Sequence, residues 1–335
     1  MMRPADRTLR VAIVGAGLMG RWHAFSAARA GGSIVAVVDP DQARARRLAS
    51  RSRAARAFST LDGALERADV VHVCTPTAAH VAVIAQALDA RRHVLVEKPL
   101  APTVAETIEL LDRAKSHALL LCPVHQLLFQ EGVHAALSSE VLAGLRHVDF
   151  TICSAGAQGT DDAAHDRIAM EILPHPVSLL IRMQPAFAEA DWSVRHPRPG
   201  EIRALAQAGD VTATLLVSMS GRPPIHRMRL IGVRSAVDVD LFHGFAATLA
   251  GGVSRRHKVA QPYLHAGAVL RAATVNLARR SLRREPAYPG LRALVGRFYA
   301  AVRTGGAPPI SAEETLAVAR TCARLSGMLT GQQTR

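Results

Sequence analysis

The chain has 335 residues, of which 49% are hydrophobic and 20% are charged. This length suits two domains of ordinary size, and the composition excludes a disordered chain or a repeat array. The formal charge of +14 raises the question of nucleic acid, but arginines are scattered along the chain and aromatic residues make up only 4%. So few aromatic side chains cannot form base-stacking platforms, and we expect no nucleic-acid partner.

The cysteines indicate neither a metal site nor a disulfide framework. Four are present, far apart and without a Cys-x-x-Cys pair: Cys74, Cys122, Cys153 and Cys322. We therefore expect reduced thiols and no metal. The first ten residues are polar and lead directly into a strand-like run, and no apolar stretch reaches membrane-spanning length. The expected location is cytoplasmic.

Short apolar runs alternate with helical patterns in the first third of the chain. Strands are predicted at 11–14, 34–38, 70–74, 93–96 and 118–123, and helices at 19–30, 42–51, 78–90 and 104–116. Continuous apolar strands separated by helices predict a parallel sheet that is covered on both faces. Residues 1–123 are therefore expected to form a doubly wound α/β domain of the Rossmann type.

The pattern changes after residue 123. Six strand-like runs follow without long helices between them, at 145–154, 188–194, 202–208, 211–220, 228–232 and 236–241. This spacing predicts a mostly antiparallel open sheet. Further helices are expected at 171–183, 263–284, 291–304 and 312–329. Residues 124–335 are thus predicted to form an α+β domain for substrate binding and oligomerisation.

A glycine-rich segment follows the first predicted strand and opens the first helix. Its sequence fits GxGxxG over Gly15, Ala16, Gly17, Leu18, Met19 and Gly20. In that context the first glycine makes a tight turn, the second lets the backbone approach a pyrophosphate, and the third allows close helix packing. The alternative is a tight strand-to-helix turn without a ligand. Asp39 and Pro40 favour dinucleotide binding, because a carboxylate about twenty residues later can bind the ribose hydroxyls.

The charge of Asp39 also bears on the choice of cofactor. A carboxylate repels the extra phosphate of NADP, so NAD is the preferred cofactor. Arg44, Arg46 and Arg47 follow closely, and one of them reaching that phosphate would make NADP the cofactor instead.

Two polar segments end parallel strands at the sheet edge where open α/β sheets bind ligands. They are Cys74-Thr75-Pro76 and Glu97-Lys98-Pro99. Together with the glycine segment they resemble the family of glucose-fructose oxidoreductase, inositol dehydrogenase and MocA proteins. The resemblance extends to His80 and to the closing segment 308–314, and so spans most of the chain.

The resemblance implies roles for these residues. The Glu97-Lys98 segment is expected beside the nicotinamide, and His80 and the Cys74-Thr75-Pro76 turn are expected in the cofactor site. Lys98 is expected to bind and polarise the substrate hydroxyl or carbonyl, since an ammonium group near a cationic ring loses its proton more easily. The alternative is a surface lysine paired with Glu97.

The resemblance also implies an acid/base histidine in the second domain. The family carries an Asp-x-x-x-His segment there, and this chain has Glu171 and His175 in the matching positions. An imidazole titrates near neutral pH, so His175 is a candidate acceptor of the hydroxyl proton with Glu171 orienting it. Glutamate replaces aspartate, and prolines on both sides of His175 disturb the helix. The alternative is a structural histidine at a helix start.

Two further polar residues follow the last strand of the first domain. His125 and Gln126 stand where the family often places substrate contacts, although His125 is equally interpreted as a structural histidine. Leu128 occupies a position where many relatives carry arginine or another polar residue, which argues against a heavily anionic substrate.

A basic segment with apolar residues runs from Ser254 to Arg284. Such a helix can lie on an anionic membrane surface, but packing against its own domain or a partner subunit is favoured. We therefore expect no membrane contact and, from the resemblance, a homodimer or homotetramer.

These observations lead to one functional hypothesis with two alternatives. The hypothesis is an NAD(P)-dependent oxidoreductase that transfers hydride between nicotinamide and a hydroxyl-bearing carbon of a sugar, cyclitol or nucleotide-linked sugar, the substrate class coming from the resemblance alone. The alternatives are an NAD-assisted glycosidase-like enzyme and a non-catalytic cofactor-binding sensor or regulator.

Overall fold

The computed structural model describes residues 8–156, 158–252 and 254–333, so most of the polar N-terminal stretch considered above lies outside the described residues. The contacts divide the chain into two compact units. The first runs to His125 and also includes Leu291–Ala319, and the second comprises Gln126–Gly290 and the chain from Arg320 onwards. The first unit is thus formed by two separate stretches of sequence. The predicted boundary at residue 123 assigned all of the later chain to the second domain.

The first unit contains a six-stranded, wholly parallel sheet. Its strands are β1 (Arg10–Val14), β2 (Ser33–Val38), β3 (Arg56–Phe58), β4 (Val70–Val73), β5 (His93–Val96) and β6 (Leu121–Pro123). The order β3-β2-β1-β4-β5-β6 reverses direction between β1 and β4. That reversal is the topological switch point where doubly wound sheets bind ligands. The predicted fold class of this region is confirmed, and the short strand β3 is an addition to it.

Five helices connect these strands. They are α1 (Leu18–Arg29), α2 (Gln42–Ala49), α3 (Asp62–Leu65), α4 (His80–Asp89) and α5 (Val104–Ser116). The side chain of Asp41 caps α2, and Thr103 with Glu106 forms a capping box at α5, so local sequence fixes where both helices begin. The strand side chains between the helices are almost fully buried, which explains their continuous apolar sequence.

The second unit is built on a seven-stranded sheet. Its strands are β7 (Leu145–Cys153), β8 (Asp191–Arg195), β9 (Glu201–Ala208), β10 (Val211–Ser218), β11 (Ile225–Gly232), β12 (Ser235–Asp240) and β13 (Phe245–Ala250). The order is β13-β12-β11-β7-β10-β9-β8, and each neighbouring pair is antiparallel except β7 with β10. The prediction of a mostly antiparallel sheet is therefore confirmed.

The remaining helices follow the chain into both units. The second unit contains α6 (Glu131–Leu137), α7 (Asp162–Ile172), α8 (Pro174–Met183) and the long α9 (Arg255–Arg283). Helix α10 (Leu291–Thr304) belongs to the first unit, and α11 (Ala312–Gln333) begins there and ends in the second. Across the described ranges, no helix combines the length and the apolar character that crossing a bilayer requires.

Candidate cofactor and catalytic site

The glycine loop has the geometry that a pyrophosphate needs. Gly15 has a φ of +95°, and a Cβ there would lie 2.5 Å from the carbonyl oxygen of Cys74. A Cβ on Gly20 would lie 1.8 Å from the Gly15 oxygen, so α1 packs directly on the loop. Gly17 is the N-cap of α1 and has nothing within 4 Å of its Cβ position. The loop therefore leaves open space in front of the helix N-terminus, where backbone amides and the helix dipole favour an anion.

Asp39 is held beside this loop at the end of β2. One carboxylate oxygen accepts a hydrogen bond from the Ala16 amide at 2.8 Å, and the other accepts one from the Asp41 amide at 2.9 Å. The carboxylate keeps lone pairs for further donors. Asp39 thus stands where ribose hydroxyls are bound in Rossmann domains, and Pro40 follows it at the exposed start of the loop to α2.

The turns after β4 and β5 lie at the same sheet edge and are joined by His80. The imidazole Nε2 is 3.0 Å from the Thr75 carbonyl oxygen, and Nδ1 is 2.9 Å from the Pro99 carbonyl oxygen. His80 is buried, and its two ring nitrogens face one carbonyl oxygen in each turn. His80 therefore braces the Cys74-Thr75-Pro76 turn against the Glu97-Lys98-Pro99 turn.

Two side chains at this edge bear on which ligand fits. The Thr75 hydroxyl oxygen is buried and has no hydrogen-bond partner among the described residues, and such groups in native proteins call for a ligand or water. Burial and the nearby Glu97 raise the pKa of the Cys74 thiol well above its usual value, so this thiol stays protonated and is no nucleophile. Open glycine backbone, an unsatisfied hydroxyl and Asp39 together fit a dinucleotide.

Lys98 is half-buried in the turn after β5, and its peptide bond to Pro99 is cis. The neighbouring Glu97 amide donates to the Val73 carbonyl at 2.9 Å, which ties this turn to β4. The Glu97 carboxylate is only 12% exposed and lies 2.9 Å from Nε2 of His23 on α1. Glu97 therefore turns toward the protein interior.

The second unit carries the other predicted catalytic residues on two successive helices. Helix α7 ends at Ile172 and α8 begins at Pro174, so the expected single helix is divided at Leu173. Leu173 itself keeps helical backbone angles. Glu171 is exposed at the end of α7, and His175 is half-buried in the first turn of α8. Their i, i+4 spacing places both on one side of a nearly continuous helical path.

The structure separates the two predicted substrate residues by unit. His125 is buried directly after β6 in the first unit, and Gln126 begins the second unit. The side-chain amide oxygen of Gln126, Oε1, is buried without a hydrogen-bond partner among the described residues. Leu128 is buried as well, which gives its apolar character a packing reason.

Two groups of residues escaped the sequence-based prediction. The first group is buried His72 and Tyr299, which connect through His23 to Glu97 by hydrogen bonds. The one sign of this group in the sequence was a histidine inside the apolar strand β4.

The second group lies beside the glycine loop. A cavity of about 320 Å³ there is lined by residues of the loop, α1 and α2: Ala16, Gly17, Leu18, Arg21, Arg44, Arg47, Leu48 and Arg51. Arg21 and Arg51 were not predicted at this site, and Arg46, which was named with Arg44 and Arg47, is not among the lining residues.

The strand order, the open glycine loop and Asp39 define a dinucleotide-binding domain of the Rossmann type. Residues 9–125 match the model of an oxidoreductase family with an NAD-binding Rossmann fold, GFO_IDH_MocA. Residues 9–125 belong to this family, and the first unit is an NAD-binding domain. The family predicted from the glycine loop and the Glu-Lys-Pro segment is confirmed.

Individual relatives cover most of the chain. It is 33% identical over 247 residues to inositol 2-dehydrogenase of Acidothermus cellulolyticus, covering 70% of this chain and 65% of that protein. It is 26% identical over 266 residues to UDP-N-acetylglucosamine 3-dehydrogenase of Acidithiobacillus ferrooxidans, covering 72% and 80%. The chain thus spans just under two thirds of the first relative's length.

A solved structure shows the same fold along nearly the whole chain. The WlbA dehydrogenase from Bordetella pertussis, in complex with NADH and UDP-GlcNAcA, superimposes with a TM-score of 0.75 and 17% identity. The comparison covers 97% of each chain. Both the Rossmann domain and the second α+β domain are therefore shared with that enzyme.

Proposed function

We propose that this protein is an NAD-dependent dehydrogenase that acts on CH–OH groups. The observation that carries the proposal is the sheet edge of the first unit, where the turn bearing Lys98 is braced by His80 against the turn beside the open glycine loop. Lys98 brings an ammonium group to that edge, and sites of proton transfer require a titratable group beside the ligand. Relatives named as dehydrogenases support the same activity.

The residues of this chain divide the chemistry between them. Bound NAD supplies the hydride acceptor or donor. Gly17 and the N-terminus of α1 bind the pyrophosphate, and Asp39 binds the ribose hydroxyls. Lys98 hydrogen-bonds the reacting oxygen, His175 takes or returns the hydroxyl proton, and Glu171 stabilises the His175 cation.

The substrate class that we propose is a sugar, a cyclitol or a nucleotide-linked sugar. Its support is the pair of relatives, one named for inositol and one for UDP-N-acetylglucosamine. His125 and Gln126 are proposed as substrate contacts, because a few placed polar groups orient a ligand in a largely apolar pocket.

An oxidation assay tests this function. Purified protein with NAD and a panel of sugars, inositols and nucleotide sugars should produce absorbance at the reduced-nicotinamide wavelength together with a ketone product. Turnover without net reduction of NAD would replace the proposal with cofactor-assisted glycosidic cleavage. Cofactor binding without turnover on any member of the panel would favour a sensor or regulator.

The preferred cofactor is proposed to be NAD rather than NADP, because the Asp39 carboxylate is anchored at the loop by two amides. Asp39→Ala should shift the ratio of NADP to NAD affinity toward NADP by about tenfold or more, since the Asp39 carboxylate no longer repels the added phosphate beside Arg44 and Arg47. Calorimetric titration of both cofactors measures the ratio. Glu66→Ala, which removes an exposed carboxylate elsewhere in this unit, is the control. An equal shift in both variants would remove Asp39 as the determinant.

We further infer a cytoplasmic homo-oligomer that binds no nucleic acid. No disulfide joins the cysteines among the described residues, which is typical of a reducing compartment. The interface that we propose is α9, on which no residue is buried. The expectation that this helix packs is met on one side only, through contacts with β13 and through His265, whose Nε2 lies 3.0 Å from the Asp238 carboxylate.

The opposite side of α9 is an apolar stripe of Val259, Tyr263, Leu270 and Leu277, with exposed fractions from 68% to 80%. Tyr263 and Leu277 each lie seven residues from Leu270, so an antiparallel second copy can pack with Leu270 on the twofold axis.

Leu270→Glu should therefore convert the oligomer to a smaller species, because a buried charge at the axis is paired with a like charge from the second copy. Sedimentation velocity at micromolar protein measures the change. Leu205→Glu, at an apolar residue that is 50% exposed on the sheet of the same unit, is the matched control. If Leu205→Glu dissociated the oligomer and Leu270→Glu did not, the interface would lie on the sheet and not on α9.

A further inference from the structure

A hydrogen-bonded chain of buried side chains runs through the interior of the first unit to Glu97. The Tyr299 hydroxyl on α10 lies 3.0 Å from His72 Nε2, His72 Nδ1 lies 3.0 Å from His23 Nδ1, and His23 Nε2 lies 2.9 Å from Glu97. The two histidines and the tyrosine are completely buried. A Cβ on Gly32 would lie 2.9 Å from the Tyr299 ring, so glycine at that position makes room for the phenol.

The number of protons on these side chains permits the hydrogen bonds to run in only one direction, with each group donating to the next from Tyr299 to Glu97. Burial, with a smaller effect of His23, lowers the pKa of His72 well below its usual value, so His72 is neutral and has one N–H. In one arrangement Tyr299 donates to His72, His72 donates to His23, and His23 donates to the Glu97 carboxylate. Every nitrogen and the phenol hydrogen are then satisfied, and Glu97 is the anionic acceptor at the end.

The reverse arrangements leave a group unsatisfied. If His72 donated to Tyr299, the phenol hydrogen would need another acceptor, and among the described residues Tyr299 has no hydrogen-bond partner other than His72. If His23 carried a proton on both ring nitrogens, its Nδ1–H would donate to His72, and His72 would then have to donate to Tyr299. The phenol hydrogen would again lack an acceptor. A buried unsatisfied donor is costly, so the hydroxyl of Tyr299 fixes the direction of the whole chain.

We propose that His23, His72 and Tyr299 are positioning residues that hold the carboxylate of Glu97 as an inward-turned anion beside Lys98. The inference rests on the proposed role of the Glu97-Lys98 turn. It means that Tyr299, which is 202 positions after Glu97 in the sequence, determines the orientation of the turn that carries Lys98. Among the described residues, Cys74 interacts electrostatically with Glu97 and Arg303 with Tyr299, and Lys98 follows Glu97 in the sequence.

Tyr299→Phe tests the inference, because it keeps the ring and removes the donor that fixes the tautomers. Long-range ¹H–¹⁵N spectra of the NAD-bound protein should show His72 as the Nδ1–H tautomer and His23 as the Nε2–H tautomer. In the variant no phenol hydrogen excludes a proton on both nitrogens of His23, so His23 can donate to His72 as well as to Glu97, and the His72 signals should move toward the Nε2–H form. The turnover number should fall about tenfold while the KM for NAD changes less than about twofold, as expected when a group that orders a catalytic residue is lost.

Thr107→Val is the matched control, since it removes another buried hydroxyl of this unit, which lies on α5 and donates to the Thr103 carbonyl oxygen. The proposal would be overturned if Tyr299→Phe left the tautomers and the turnover number unchanged and only lowered the melting temperature, as Thr107→Val is expected to do. The opposite tautomers in the unaltered protein would overturn it too. The spectra need no substrate, so they decide the inference even if the proposed dehydrogenase activity fails.

Discussion

Replacing Lys98 with alanine should lower the turnover number by about 10²- to 10⁴-fold, the range that positioned acid–base groups contribute. The affinity for NAD should change by less than about threefold, because the pyrophosphate and ribose contacts lie on Gly17 and Asp39 instead. Initial rates at saturating substrate measure the first quantity, and calorimetry with NAD alone measures the second.

Two companion variants make this result specific. Lys115→Ala removes a lysine that is exposed on α5 of the same unit and should leave both quantities unchanged. Lys98→Arg keeps the positive charge but cannot lose a proton under ordinary conditions, so it should be nearly as slow as the alanine variant. Equal losses of turnover and NAD affinity in Lys98→Ala would show a cofactor-binding residue instead.

Gly17→Val should abolish cofactor binding, with affinity for NAD and NADH falling about 100-fold or more, while the protein stays folded. The Cβ position of Gly17 meets nothing within 4 Å in the protein, so a valine there protrudes into the space that the pyrophosphate requires. Its backbone angles, φ −70° and ψ −158°, suit any residue. The cost at a helix N-cap is about 1 kcal/mol or less, which differential scanning calorimetry will show as a small change in melting temperature.

Gly296→Ala on α10 supplies the control for this result. Its Cβ also meets nothing within 4 Å, but it lies inside a helix, where alanine stabilises by about 1 kcal/mol. NAD affinity should be unaffected there. If Gly17→Val retained normal affinity for both forms of the cofactor, the dinucleotide would not lie against this loop, and the proposed site would be wrong.

The parts of the fold that were predictable follow from local patterns. Continuous apolar runs in β1, β2, β4 and β5 identified the parallel sheet, because strands buried on both faces admit few polar residues. The glycine loop was recognisable since each glycine has a separate steric reason. Strand β13 was missed because its sequence, Phe-Ala-Ala-Thr-Leu-Ala, is rich in alanine, which has low strand propensity.

The positioning of Glu97 could not be read from the sequence. Its chain of hydrogen bonds joins His23 to His72 across 49 residues and His72 to Tyr299 across 227. Neither a periodic pattern nor a local motif predicts contacts between residues so far apart in sequence, since such contacts depend on the path of the chain in space. For the same reason the return of α10 to the first unit was not anticipated.

The return of α10 affects how the protein forms on the ribosome. Domains generally fold in the order of their synthesis, yet the nucleotide-binding half here lacks Tyr299, Phe298 and Leu294, all buried, until translation passes the end of α10. Most of the second unit, residues 126–290, is therefore synthesised while the first unit still lacks its last helices. Release of a nascent chain before that point yields a nucleotide-binding half whose interior is open to water.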